Sequence, residues 1–249
     1  PSDAVAAFGP YRPPVRQAAA GITPEQTAQL RRFVERYNAR TAGSKRMTEQ
    51  HRAHLADPRS VSGFRLAWKE LVYPLVTVRS AGSQLWDVDG NAYVDITNGF
   101  GMILFGHNPD FIRQAIEEQL RTGYEIGPQT PLAGEVAEMV CRMVGMERAA
   151  FCGSGSEAVT AAIRVARTVT GRDTVVMFNG VYHGIFDEVL ARPGRPVAGQ
   201  VTRGLPIAPG IPAAMTSNLV VLEYGSDEAL QTLCELGTTV AAVLVEPVQ

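Results

Sequence analysis

From residue 109 onward, helical periodicity alternates with short apolar runs, and this alternation limits the folds that the chain can adopt. The helical patterns cover residues 110–122, 132–145, 157–170 and 226–236, and the apolar runs cover 148–152, 174–178, 219–223 and 240–245. Short buried strands separated by helices are typical of parallel sheets, because parallel neighbours need a long crossover connection. The sequence therefore predicts an α/β fold with a mostly parallel sheet and flanking helices.

The first 108 residues follow a different pattern. A capping box from Thr23 to Gln26 opens a helical pattern that continues to about Ala56. The stretch 71–96 then alternates with period two around Gly turn signals, which predicts a small antiparallel meander. We predict four parts: a linker (1–22), an N-terminal helical arm (23–60), the N-terminal meander of a small domain (61–108) and the first part of a large domain (109–249).

Composition excludes several classes of protein. A chain of 249 residues that is 45% hydrophobic can bury a sizeable core. Its net charge of -2 provides no basic field for nucleic acid, and no apolar run approaches the roughly 20 residues of a membrane span. Three cysteines without CxxC spacing indicate neither a disulfide framework nor a zinc site, and they favour a reducing, cytoplasmic compartment. A small-molecule role without metal, nucleic acid or membrane is favoured.

A glycine-rich turn, Gly153-Ser154-Gly155-Ser156, lies between the predicted strand 148–152 and the predicted helix 157–170. Free backbone N–H groups, the positive end of the helix dipole and two hydroxyls converge at such a turn. Glycine lets a ligand approach the backbone closely. The turn therefore predicts an anion site that suits a phosphate group, although an ordinary serine-capped turn remains the alternative for this motif alone.

The same turn also matches a dinucleotide fingerprint in form, as Gly153-x-Gly155-x-x-Ala158. That fingerprint needs an acidic residue at the carboxyl end of the following strand, where it binds a ribose hydroxyl. Asp173 lies about 20 positions after the glycine turn, as the fingerprint requires, but it precedes the strand 174–178 and does not follow it. A nicotinamide or flavin site is therefore disfavoured.

Three loops follow predicted parallel strands, at the edge where open sheets bind ligands: 153–156, 179–184 and the pair Glu246-Pro247. Tyr182 offers a flat face for stacking on a planar ring, His183 offers a hydrogen bond or a proton, and Glu246 offers a carboxylate. Each residue taken singly has a purely structural explanation in packing or in a strand end. Together they predict one site.

Three segments carry a family resemblance: CGSGSEAVTAAIRVARTVTGRDTVVMFNGVYHG, LWDVDGNAYVDITNGFG before it, and AAVLVEPVQ after it. Over residues 60–249 the chain resembles the class III, pyridoxal-phosphate-dependent aminotransferases, in particular the glutamate-1-semialdehyde aminomutase-like group. The resemblance implies a fold-type I transferase whose cofactor is pyridoxal 5'-phosphate. The family turn usually reads N-S-G-T-E-A, and the replacements here, Gly153 and Ser156, keep a hydroxyl and free N–H groups.

The resemblance also assigns roles to the candidate residues. Ser154, Gly155 and Ser156 would hold the cofactor phosphate. Tyr182 would cover the pyridine ring, and His183 would support that loop. The predicted cofactor-binding set is Ser154, Gly155, Ser156, Tyr182, His183 and Glu246.

A finer likeness is carried by ADPRSVSGFRLAWKELVYPLVTVRSAGSQLWDVDG, GFGMILFGHNPDFI and EIGPQTPLAGEVAE. These segments are similar to aminotransferase domains embedded in hybrid polyketide and nonribosomal peptide synthases. The likeness implies amino transfer from glutamine or glutamate to a β-keto acyl chain on a carrier protein, in a homodimer. Separately, Phe100, Gly101 and Met102 are candidates to line the substrate entry, with simple packing as the alternative. A glutamate-1-semialdehyde aminomutase-like or omega-aminotransferase acting on a free small substrate is one alternative. A catalytically silent docking fragment is another.

Transamination needs a lysine that forms a Schiff base with the cofactor and moves a proton. The two lysines present, Lys45 and Lys69, lie in the arm and before the meander, whereas the family lysine follows the strands after EPVQ. The resemblance therefore implies no catalytic residue in this segment and a Schiff-base lysine beyond Gln249. We expect these residues alone to form the phosphate and ring-stacking part of a site without turnover.

Overall fold

A computed structural model describes residues 23–57, 66–124, 127, 129–194 and 203–248. Within these residues the chain forms two compact units. The first ends at Thr130, and the second begins at Pro131. The predicted linker 1–22 lies outside the described residues, and the predicted division into linker, arm, small domain and large domain stays a prediction. None of the described helices is both long and apolar enough to cross a membrane.

The N-terminal arm consists of two helices, α1 (Pro24–Arg40) and α2 (Ala42–His51). The predicted capping box is confirmed, because the N–H of Gln26 donates to the Thr23 hydroxyl and the N–H of Thr23 donates to the Gln26 side chain. The helical pattern predicted to about Ala56 forms as far as His51, with one interruption. The backbone leaves helical geometry at Thr41 (φ -121°, ψ 33°), a buried residue whose hydroxyl lies 2.7 Å from that of Tyr73.

The predicted antiparallel meander is confirmed. Its strands β1 (Thr77–Ala81), β2 (Gln84–Asp87) and β3 (Ala92–Val94) pair in sequence order. Gly82 and Gly90 adopt positive φ at the two turns (55° and 82°), which a residue with a Cβ adopts only at a cost. Helix α3 (Asp110–Thr122) follows the meander in the chain.

A buried carboxylate organises the end of the meander. Asp87 is 1% exposed, and its oxygens accept hydrogen bonds from the Tyr93 hydroxyl (2.6 Å), the Asn91 N–H (2.8 Å) and side-chain amide (2.9 Å), and the Asp89 N–H (3.0 Å). Burial acts to raise the pKa of Asp87, but these hydrogen bonds outweigh burial and lower it below its usual value. Burial and the bond to Asp87 raise the pKa of Tyr93 to about 12.

The neighbouring Asp89 links the meander to the arm. Its carboxylate accepts hydrogen bonds from the N–H groups of Gly43 (2.6 Å) and Ser44 (3.2 Å), in the first turn of α2. A carboxylate at a helix N-terminus satisfies donors that have no partner inside the helix. A Cβ at Gly43 would lie 2.7 Å from Oδ1 of Asp89, so a larger residue there would have to displace this carboxylate from the two N–H groups.

Three parallel strands form the main sheet of the second unit, as predicted. The central strand β4 (Thr174–Phe178) pairs with β7 (Leu219–Leu222) on one side and β8 (Val240–Val243) on the other. A small antiparallel ribbon, β5 (Ala191–Pro193) with β6 (Gly204–Pro206), was not predicted. The helices of this unit are α4 (Leu132–Val144), α5 (Gly155–Thr170) and α6 (Asp227–Leu236).

Apolar side chains cover both faces of this sheet. Val175 and Met177 of β4 pack with Ile163 of α5 on one face, while Val176 packs with Leu236 of α6 on the other. Successive side chains of a strand point to opposite faces, so a strand between two helical layers is apolar throughout. This explains why all of β4 is buried.

The predicted strand over 148–152 is wrong, because these residues adopt no strand in the structure. No described strand pairs with these residues, and Phe151 is 59% exposed. An apolar run becomes a strand only where it finds a hydrogen-bonding neighbour. Helix α5 begins at Gly155, two residues before the predicted start.

Candidate active site

The loop after β4 meets residues that follow both neighbouring strands. We call residues 179–185 the β4 loop. The Asn179 amide donates to the carboxylate of Glu223, which follows β7, at 3.0 Å. The N–H of Tyr182 donates to Oε2 of Glu246, which follows β8, at 2.9 Å. The structure thus brings two of the three predicted site loops into direct contact.

The first turn of α5 is held by its own side chains. Ser154 is the N-cap residue, and its Oγ accepts from the Glu157 N–H at 3.3 Å. The same hydroxyl donates to Oε2 of Glu157 at 3.0 Å. Both hydrogen-bonding roles of Ser154 are therefore used within the turn. At Gly155 an added Cβ would meet nothing within 4 Å, so this backbone faces open space.

Ser156 connects this turn to the β4 loop. Its Oγ accepts from the N–H of Ile185 at 3.1 Å, which leaves the hydroxyl hydrogen for another acceptor. Gly184 packs directly on it, since a Cβ there would lie 2.7 Å from the Ser156 Oγ. The third predicted loop is therefore joined to the β4 loop.

Tyr182 and His183 differ in their surroundings. Tyr182 as a whole residue is 64% exposed. His183 is half-buried, and its Nε2 atom is sealed from solvent without a hydrogen-bond partner among the described residues. Burial lowers the pKa of His183, and the charge of Glu246 opposes that shift without cancelling it. The imidazole is therefore neutral near pH 7.

Acidification should destabilise the protein through His183. Its pKa in the folded state lies below the ordinary 6.5, so the unfolded chain takes up a proton at a higher pH than the folded chain does. Stability is then lost as the pH falls below about 6.5, until the folded-state pKa is reached. We expect the thermal midpoint of the intact protein to fall between about pH 7.5 and 5.5, and His183→Gln to reduce this fall. Equal falls in both proteins would contradict the prediction.

The groups at this edge suit a phosphorylated aromatic ring. Within the described residues, the N–H groups of Gly155 and Ser156 make no hydrogen bond and stand at the positive end of α5, and the Ser156 hydroxyl hydrogen is available. The exposed face of Tyr182 and the unpaired Nε2 of His183 lie in the loop joined to that turn. Pyridoxal phosphate combines such a ring with such an anion.

One residue of this turn, Glu157, was not predicted from the sequence to belong to the site. Its carboxylate bonds to Ser154 and would lie 2.9 Å from a Cβ at Gly153. The spacing from Ser154 to Glu157 is that of a capping box, which was the available signal. An anion that binds to Ser154 must therefore displace this carboxylate.

Comparisons with known proteins identify the family. The model described as Aminotransferase class-III matches residues 66–249. The chain is 38% identical over 177 residues to a glutamate-1-semialdehyde 2,1-aminomutase from Aquifex aeolicus, covering 70% of this chain and 41% of that protein. An omega-transaminase structure from Sphaerobacter thermophilus matches with a TM-score of 0.72 and 26% identity, covering 82% of this chain and 47% of that chain. A structure of a transaminase with PLP bound matches at 0.70 and 26%, covering 84% and 48%.

The chain belongs to the class III aminotransferase family. The predicted fold-type I architecture and the likeness to glutamate-1-semialdehyde aminomutases are confirmed, and so is pyridoxal phosphate as the cofactor of this class. The chain spans about two fifths of the length of the curated relatives it matches (41% and 39% in two of them). The likeness to synthase-embedded domains stays a prediction.

Proposed function

We propose that this chain forms the phosphate-binding and ring-stacking part of an active site that transfers amino groups. The observation that supports this most strongly is the hydrogen bond from the Ile185 N–H to the Ser156 hydroxyl, which joins the start of α5 to the loop that carries Tyr182. Pyridoxal phosphate, when bound, supplies an electron sink that stabilises negative charge at the substrate carbon. The residues of this chain bind and orient it.

The start of α5 would bind the phosphate. The N–H groups of Gly155 and Ser156 and the hydroxyl of Ser156 are donors, and hydrogen bonds to an anion are about twice as strong as neutral ones. The helix dipole adds about 0.3 to 2 kcal/mol. The Ser154 hydroxyl becomes a further donor once the Glu157 carboxylate moves aside. These contacts need no side-chain charge from the chain itself.

The β4 loop would orient the ring. Tyr182 presents an exposed aromatic face that can stack on a planar pyridine. His183 is neutral, so it adds no charge beneath the ring, and its unpaired Nε2 can make one hydrogen bond. Glu246 belongs to the proposed site because it contacts the β4 loop at Tyr182.

For the substrate, we propose a β-keto acyl chain on a carrier protein, with glutamine or glutamate as the amino donor and a homodimer as the assembly. The support is the sequence likeness of residues 56–90, 99–112 and 125–138 to synthase-embedded domains. A free small substrate is the second candidate, and the 38% identity to the Aquifex aeolicus aminomutase favours it. Residues Phe100–Met102 remain a proposed substrate contact in either case.

A spectral titration tests the cofactor proposal. We expect the intact protein to acquire a visible absorbance band on addition of pyridoxal phosphate, and the band to shift when an amino donor follows. Gly155→Val fills the open space at the start of α5 and should raise the Kd for the cofactor at least about tenfold, through lost contacts to the phosphate. Gly134→Val, also at a helical glycine with open space, is the matched control.

Three outcomes would contradict this proposal. A protein that remains colourless would favour the silent docking fragment, and a Gly155→Val variant that binds like the wild type would move the phosphate elsewhere. Equal losses in the Gly155 and Gly134 variants would reveal a general folding defect in place of a specific one.

A second assay separates the two substrate classes. The intact holoenzyme is offered a β-keto acyl chain either on a carrier protein or as the free acid, and the aminated product is measured by mass. Amination on the carrier alone supports the proposed substrate. Amination of glutamate-1-semialdehyde or another free substrate alone would overturn it in favour of the second candidate.

A further inference from the structure

We infer that Glu246 is a positioning residue, which fixes the β4 loop so that the Tyr182 ring is presented to the cofactor. This inference rests on the proposed function, because the ring is the group that the loop presents. It assigns Glu246 a contact with the protein backbone in place of a contact with the cofactor.

The contact itself is a long-range one. Oε2 of Glu246 accepts from the N–H of Tyr182 at 2.9 Å, between residues 64 positions apart. Because the donor is the backbone N–H, this bond restrains the main chain that carries the Tyr182 ring. Glu246 is only partly exposed, whereas Tyr182 is exposed, so the fixed part of this pair is the carboxylate and the presented part is the ring.

The same loop is fixed at two further points. At its start, the Asn179 amide bonds to Glu223 after β7, and at its end the Ile185 N–H bonds to Ser156 of α5. Glu246 supplies the anchor between them, from the end of β8. A loop that is ordered before binding loses less conformational entropy when the ligand arrives. The middle anchor lies at the residue whose ring is used.

No competing cation engages Glu246 within the described part of the chain. The charge of Glu246 acts to raise the pKa of His183, but burial lowers that pKa by more, so this neighbour is neutral near pH 7. The carboxylate of Glu246 thus accepts a hydrogen bond from the N–H of Tyr182. A glutamine oxygen could accept the same bond, so positioning should depend on reach and not on charge.

Three substitutions at this position separate the possibilities. Glu246→Gln keeps the acceptor and removes the charge, Glu246→Asp keeps the charge and shortens the reach, and Glu246→Ala removes both. In the intact protein we measure the Kd of pyridoxal phosphate, the circular dichroism induced in its visible band, and the competition constant of inorganic phosphate.

We expect Glu246→Ala and Glu246→Asp to raise the cofactor Kd about tenfold and to lose most of the induced circular dichroism, since the hydrogen bond to the Tyr182 N–H is lost in both. Glu246→Gln should stay within about twofold of the wild type. The competition constant of inorganic phosphate should be the same in all four proteins, because the residues proposed to bind phosphate, Gly155 and Ser156, lie at the start of α5.

The opposite pattern overturns the inference. If Glu246→Gln is as impaired as Glu246→Ala, the charge itself acts on the cofactor, and if Glu246→Asp matches the wild type, reach is irrelevant. A fall in thermal midpoint without a change in induced circular dichroism would show a merely structural role. Failure of the wild type to bind either pyridoxal phosphate or inorganic phosphate would instead overturn the proposed function.

Discussion

Replacing Gly184 with alanine is expected to cost about 3 kcal/mol of folding free energy and to abolish cofactor binding. Gly184 has φ of 121°, a conformation that residues with a Cβ rarely adopt. Its Cβ would lie 2.7 Å from the Ser156 Oγ and 3.0 Å from the Ser156 Cα. The second contact is with the backbone, so rotation of the serine side chain cannot relieve it. The β4 loop would have to move away from α5, and the bond from Ile185 to Ser156 would break.

Gly171→Ala is the matched control for this experiment. Gly171 also has positive φ (68°), but nothing lies within 4 Å of its added Cβ. Its substitution should cost only the strain of the left-handed conformation, about 1 to 2 kcal/mol, and leave the cofactor Kd unchanged. Chemical denaturation and spectral titration measure the two effects. Equal losses of stability in both variants, with cofactor binding intact in both, would show that the close contact at Gly184 carries no penalty.

Replacing Asp87 with alanine should destabilise the first unit by about 3 kcal/mol. The substitution leaves the Tyr93 hydroxyl, the Asn91 N–H and the Asp89 N–H without their buried acceptor. A buried donor that loses its partner keeps the cost of leaving water, which makes removal of the shared acceptor more harmful than removal of one donor.

Tyr93→Phe removes one of these donors and keeps the aromatic ring, so we expect a loss of only about 1 kcal/mol. Urea denaturation of the intact protein measures the free energy of unfolding of the two variants, each compared with the wild type. The account of Asp87 is wrong if Asp87→Ala is no more destabilising than Tyr93→Phe.

Local patterns were enough to predict most elements. The period-two stretch became β1 to β3, and the apolar run 174–178 became β4 with the same bounds. The capping box at Thr23 formed as predicted because both partners lie three residues apart. In each case the signal and its cause lie in one short segment. The run 148–152 shows the limit, since whether an apolar run becomes a strand depends on a neighbour that is distant in sequence.

The roles within the site could be predicted only in part. The composition of the turn 153–156 predicts hydroxyl and N–H donors. It does not reveal that the Ser154 hydroxyl donates to Glu157, whereas the Ser156 hydroxyl accepts from Ile185 and its hydrogen stays available. Likewise, Glu246 is visible as a carboxylate at a strand end, but its bond to Tyr182 spans 64 positions. Such contacts are set by the register of β4 and β8, which no local pattern encodes.

The order of strands in the main sheet has a consequence for synthesis. Strand β4 is made before both of its neighbours, and it acquires its second edge partner only when Val243 has been added. Both edges of this apolar segment are open until Leu222 has been added, and one edge stays open until Val243, which makes the nascent chain prone to aggregation. The time needed to translate residues 179–243 therefore sets how long β4 lacks a full set of strand neighbours.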